Sequence, residues 1–171
     1  MAIDFSSGGS QVRPAITRTS TVTTQGSSTY DFSNIPSNVN KITIWFYEVG
    51  YTGSGLMTKI RLGDSGGIET TGYDGHTSYL GPSNANSNNQ YTDGIPMWST
   101  NDGEHLTGQM SIERRPGTNI WCFSGCGKFE STYCWVSGGQ KGLSDTLTTV
   151  RLFNQGGTNF DQGQMWATYE N

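Results

Sequence analysis

The chain has 171 residues, a net charge of −4 and 32% hydrophobic residues beside 24 glycines. A length of this order supports one domain, and the apolar fraction is low for a helical protein but sufficient for a sandwich, in which only alternate strand positions face the core. The acidic balance argues against nucleic acid as a partner, because neutralising phosphates needs a basic surface, and no apolar run approaches the roughly 18 residues of a membrane span. The opening residues MAIDFSSGGS lack the basic and apolar regions of a cleaved signal, so a soluble protein assembled in the cytoplasm is expected.

Residues 1–27 are rich in Ser, Thr and Gly and show no periodicity until Ile16. Such a segment buries too little apolar surface to order itself, so it reads as an extended arm that orders on a partner, with Ile3 and Phe5 as anchors. Residues 28–171 read as the folded domain. Its clearest strand is 41–47, where Ile42, Ile44 and Phe46 share one face and Thr43, Trp45 and Tyr47 the other.

Further strands are predicted at 57–62, 67–73, 109–114, 119–124, 129–137, 146–153 and 164–169. Turn residues separate them at Gly53-Ser54-Gly55, Asp64-Ser65-Gly66-Gly67, Pro116-Gly117, Ser137-Gly138-Gly139 and Gln155-Gly156-Gly157. With no ten-residue helical stripe, the pattern predicts an all-β, antiparallel, jelly-roll-like β-sandwich of about eight to ten strands. The stretch 143–169 reads as two half-buried strands joined by a Gly-rich turn. Val150, Leu152, Met165, Ala167 and Tyr169 face inward there, and Arg151, Gln164, Trp166 and Thr168 outward. Trp45, Tyr47 and Trp166 then stand where water would otherwise be, which marks them as candidate interface residues for an oligomer or a larger assembly.

Between these strands, Gly63-Asp64-Ser65-Gly66-Gly67 spells the string around the nucleophile of chymotrypsin-like proteases. Both histidines, His76 and His105, lie downstream of Ser65, and the same string describes a tight hairpin turn with Gly66 and Gly67 at positive φ. No catalytic residue is assigned. The stretch 80–94, LGPSNANSNNQYTDG, reads as a long irregular loop; with Ile95 to Trp98 after it, Asn88, Gln90, Tyr91 and Trp98 offer the amides and aromatic faces that a sugar-binding surface uses.

Asp74, Asp93, Asp102, Glu104 and Asp161 lie in Gly- and Asn-rich stretches without a calcium-loop pattern and read as solvated acids. Arg114-Arg115 before Pro116-Gly117 reads as a solvated hairpin end. Cys122 and Cys126 would stand about 13 Å apart on one strand, and Cys122 meets Cys134 only if a hairpin turns near Lys128. Free, mostly buried thiols are expected, with no metal and no cofactor.

Ile35-Pro36 followed by the strand at 42–46, GGIETTGY at 66–73, and Phe160-Asp161-Gln162-Gly163 stand here in an order that resembles a β-sandwich domain recurring in virion proteins of tailed bacteriophages. The resemblance spans residues 28–170 and implies a structural or binding protein, not an enzyme. It further implies a turn role for Asp161, whose carboxylate would accept backbone N–H groups. Within that class the expected function is a capsid decoration (cement) protein on the outer surface of the virion. Its arm and aromatic face would bind the major capsid protein, and a homo-oligomer, a trimer by preference, would span several subunits. The alternative is a tail or fibre-tip module recognising host surface carbohydrate.

Overall fold

The computed structural model describes residues 15–53, 57–82, 86–99, 103–129 and 132–171. Among them are fourteen strands: β1 Ile16–Arg18, β2 Val22–Thr23, β3 Thr29–Ser33, β4 Lys41–Tyr51, β5 Thr58–Asp64, β6 Gly67–Ile68, β7 Tyr73–Leu80, β8 Asn86–Tyr91, β9 Ile95–Met97, β10 Leu106–Arg114, β11 Ile120–Lys128, β12 Cys134–Gly142, β13 Thr149–Asn154 and β14 Phe160–Glu170. They form two antiparallel sheets facing each other as a β-sandwich. The larger has nine strands in the order β1-β14-β4-β10-β11-β12-β7-β8, with β2 also on β14; the smaller runs β3-β13-β5-β6, with β9 also on β5.

Alternation in the sequence sets the two faces. Ile42, Ile44 and Phe46 of β4 are buried together with Met165, Ala167 and Tyr169 of β14, and the small sheet answers with Phe32, Ile60, Leu62, Val150 and Leu152. These inward faces make the core, and the closing strands alternate as expected. Their pairing is different, however. β13 belongs to the small sheet and β14 to the large one, so the Gly-rich turn between them crosses from sheet to sheet.

Three other expectations change. The predicted strand at 67–73 is only the two-residue β6, after which the chain crosses to β7. The stretch 80–94 is no irregular loop, because β8 pairs with β7 from Gly75↔Tyr91 to Leu80↔Asn86. As an edge strand it has one neighbour, and its NSNNQY sequence carries none of the apolar alternation by which inner strands are read. In the N-terminal segment, Ile3 and Phe5 lie outside the described residues. β1 and β2 pair with β14 of the same chain, and Val22 packs against the core.

The GDSGG string is a two-residue hairpin turn between β5 and β6. Gly67 alone of its last two glycines has positive φ, +107°. Asp64 accepts the N–H of Gly66 at 2.9 Å and that of Asp145 at 3.0 Å, and the Ser144 hydroxyl at 2.7 Å. These bonds hold its carboxyl below the usual range, the Ser144 hydroxyl contributing most.

Candidate functional site

The register of the large sheet aligns one outward ladder across seven strands: Trp166, Trp45, Gln109, Cys126, Val136, Ser78 and Asn88. With strands spaced about 4.8 Å apart, it is roughly 29 Å long. At one end Trp45 and Trp166 stack, with ring centroids 6.2 Å apart and planes 8° from parallel, and the Arg18 guanidinium lies 5.2 Å from the Trp166 ring centre. Trp45 is 38% exposed and Tyr47, two residues along β4, is 57% exposed.

Among the described residues the remaining exposed large apolar side chains are Ile16, Leu80 and Val136. Strand alternation puts all three on this same face: Ile16 shares a side of β1 with Arg18, Leu80 alternates outward from buried Thr77 and Tyr73, and Val136 follows buried Trp135. The sequence-based selection of Trp45, Tyr47 and Trp166 thus falls on one surface. Ile16, Arg18 and Val136 were missed, although alternation from Trp135 would have signalled Val136.

The four candidate glycan residues are not brought together. Asn88 and Gln90 face outward, opposite Ser78 and His76. Tyr91 points to the other side, where its ring lies 4.0 Å from the Lys59 ammonium. Trp98 packs against the core and against Tyr79, with centroids 4.6 Å apart. No shared surface presents the amides beside an aromatic face.

Several acids expected in solvent are engaged. Asp93 accepts from Lys59 at 2.7 Å and from Arg61 at 3.4 Å, tying down the crossover from β8 to β9; burial lowers the pKa of Lys59 while Asp93 opposes that shift. Glu104 is buried, Asp74 is 3.0 Å from His76, and Asp102 lies outside the described residues. Asp161 stands in the strand Phe160–Glu170 and not in a separate turn, and no backbone N–H among the described residues bonds to its carboxylate. Its carboxylate instead takes the Thr52 hydroxyl at 2.5 Å. Arg114 closes its own hairpin onto Thr118 and Asn119.

The cysteines are free, as expected, but exposed and not buried, since all three occupy outward positions of β11 and β12. The hairpin sets Cys134 opposite Lys128 and Cys122 opposite Gln140, which separates Cys122 from Cys134. Ser65 donates to Asp145 at 2.7 Å, while His105 faces Glu48 at 3.4 Å.

Glu48 is the feature that sequence reading missed altogether. It sits in the left-handed region, φ +51°, at a β-bulge shared by both neighbours of β4. Its N–H donates to Thr107 Oγ1 at 3.0 Å. Its carboxylate accepts that hydroxyl at 3.0 Å and Lys128 at 2.8 Å, and the Lys128 bond is the main cause of its lowered pKa. The bulge reverses the alternation after Tyr47, so Val49, two residues on from that outward ring, is buried.

No protein-family model and no curated protein matches the chain. Among solved structures it is similar to a fructosyltransferase from A. japonicus, with a TM-score of 0.46 and 12% identity over 92% of this chain and 26% of that one. It is also similar to the enzymatically active domain of tailspike protein 2 of bacteriophage CBA120 (TM-score 0.36, 11% identity, 95% of this chain and 29% of that one) and to the SPBc2 prophage-derived protein YomS (TM-score 0.31, 7% identity, 92% and 96%). The chain spans about a quarter of the length of the fructosyltransferase. The likenesses to phage tailspike and prophage proteins are weak, distant similarities of β-fold.

Proposed function

We propose that the chain is a structural protein of a bacteriophage virion, a capsid decoration protein held on the outside of the shell with the outward face of the large sheet covered by protein. One observation carries this reading: every exposed large apolar side chain among the described residues lies on that face. Soluble monomers scatter such residues, whereas a shared face marks an interaction surface. The middle of the face is lined by Gln109, Ser111, Ser124, Cys126 and Gly138, mostly short side chains that let another subunit approach closely. Trp45 and Trp166 supply the large aromatic anchors that dominate interface energetics.

The partners in this reading are the major capsid protein and neighbouring copies of the chain in a homotrimer. The action is mechanical. Interface area spanning several capsid subunits must be lost before the shell opens, so bound copies raise its rupture threshold. Quantitative mass spectrometry of purified virions tests the assignment. Hundreds of copies per particle are expected, and a count of a few to tens would move the chain to the tail tip and overturn it.

A further inference from the structure

We propose that the end of the sandwich where β2, β4 and β14 meet is a binding site for a neutral oligosaccharide. Two hollows of about 490 and 610 Å³ adjoin there and share Gln25 and Asp161. Each falls within the roughly 300–1,000 Å³ of ordinary ligand sites. The first is bordered by Tyr47, Gln162 and Gln164, the second by Thr52, Thr158 and Asn159. Four side-chain amides, three threonine hydroxyls, the carboxylates of Glu48 and Asp161 and one exposed aromatic ring therefore line a trough of two adjoining hollows, the Glu48 carboxylate being already engaged by Lys128 and Thr107.

That set matches the chemistry of a sugar. Each sugar hydroxyl both donates and accepts, and an amide offers both functions at a fixed spacing; a carboxylate accepts from two neighbouring hydroxyls. The apolar C–H face of the ring needs a flat partner, and Tyr47 offers one with 57% of its surface open. Neither hollow is lined by Lys or Arg, so a phosphorylated, sulfated or sialylated ligand would find no counter-charge.

The trough is also held in place before any ligand arrives. Thr24 donates to the Gln162 carbonyl at 2.7 Å, the Gln162 amide donates to the Glu48 carbonyl at 3.4 Å, and Thr52 fixes Asp161. Tyr47 faces outward by alternation with Trp45, immediately before the bulge at Glu48. Gly163 completes the fit: its φ is +98°, and an added Cβ would collide with the Glu48 carbonyl oxygen.

This inference shares Tyr47 with the rim of the face that the virion reading covers, so sugar binding is measured on the free protein, and Gln25 and Gln162, which lie off the Trp166–Asn88 ladder, report on the sugar site alone. The probe is an array of defined neutral hexose and N-acetylhexosamine oligosaccharides, with hits confirmed by saturation-transfer NMR. At least one should bind, and Tyr47→Ala and Gln162→Ala should each weaken it by about tenfold or more, since each removes a stacking or hydrogen-bonding partner. Tyr47→Phe, which keeps the ring, and Asn88→Ala, on the distant edge, should bind as the wild type does. Gln25→Ala, at an exposed position, maintains the test should Tyr47→Ala fail to fold, and it should leave loading onto virions unchanged. The proposal is overturned if no neutral oligosaccharide binds, if anionic glycans bind better, or if binding ignores the Gln162 and Gln25 substitutions.

Discussion

Glu48 allows a prediction in which two substitutions should rank against habit. In a strand interior glycine is normally worse than alanine by roughly 0.5–1 kcal/mol, because it gives up more chain entropy on folding. At φ +51° an L-residue instead bears about 1–2 kcal/mol of left-handed strain that glycine does not. Glu48→Ala loses the bonds from Lys128 and Thr107 and retains the strain; Glu48→Gly loses the same bonds and releases it. The Lys128 pair is half-exposed and contributes at most about 1 kcal/mol. The glycine variant should therefore be more stable than the alanine variant by about 1 kcal/mol, and should melt about 2–4 °C higher for a chain of this size. Urea unfolding followed by tryptophan fluorescence measures the difference. An alanine variant as stable as the glycine variant, or more so, would show that the bulge imposes no left-handed strain at this position.

Two further outcomes follow from the turn at Asp64. Ser65→Ala should leave stability and virion loading unchanged, because it removes one exposed hydrogen bond to Asp145, whereas Gly67→Val should impair folding at φ +107°; covalent labelling of Ser65 by a fluorophosphonate would refute the turn reading. Because Asp64 is held below its ordinary value of 3.8, its stabilising contribution is complete above that pH and is lost as the pH falls through the lowered value. Asp64→Asn should consequently flatten the decline in stability below about pH 4, and denaturant titrations with identical slopes in both proteins would contradict this.

What the sequence disclosed followed from burial. β4 was legible because Ile42, Ile44 and Phe46 answer to one sheet face, and β14 because Met165, Ala167 and Tyr169 do the same. Alternation states which side of a strand is apolar but not which strand lies beside it, so residues 143–169 looked like a hairpin although β13 and β14 lie in different sheets. β8 escaped notice because an edge strand of Asn and Gln needs no apolar face. The continuation of β4 beyond Tyr47 was hidden for another reason: the bulge at Glu48 breaks the period of two, and the buried Val49 and Tyr51 fall out of phase with Phe46. The aromatic end of the candidate surface was readable from Trp45, Tyr47 and Trp166. Its far end and the Gln25–Gln162 trough depend on strand order and on a bulge, which local patterns do not encode.

The claim that the outward face of the large sheet is covered in the virion is tested most directly at Cys126. Its thiol is exposed and lies midway along the ladder from Trp166 to Asn88. Maleimide labelling of intact virions, with mass spectrometry resolving each cysteine, should find Cys126 protected, while a soluble Trp45→Ala variant reacts there freely. Equal labelling of Cys126 in the virion and in the free variant would contradict the account.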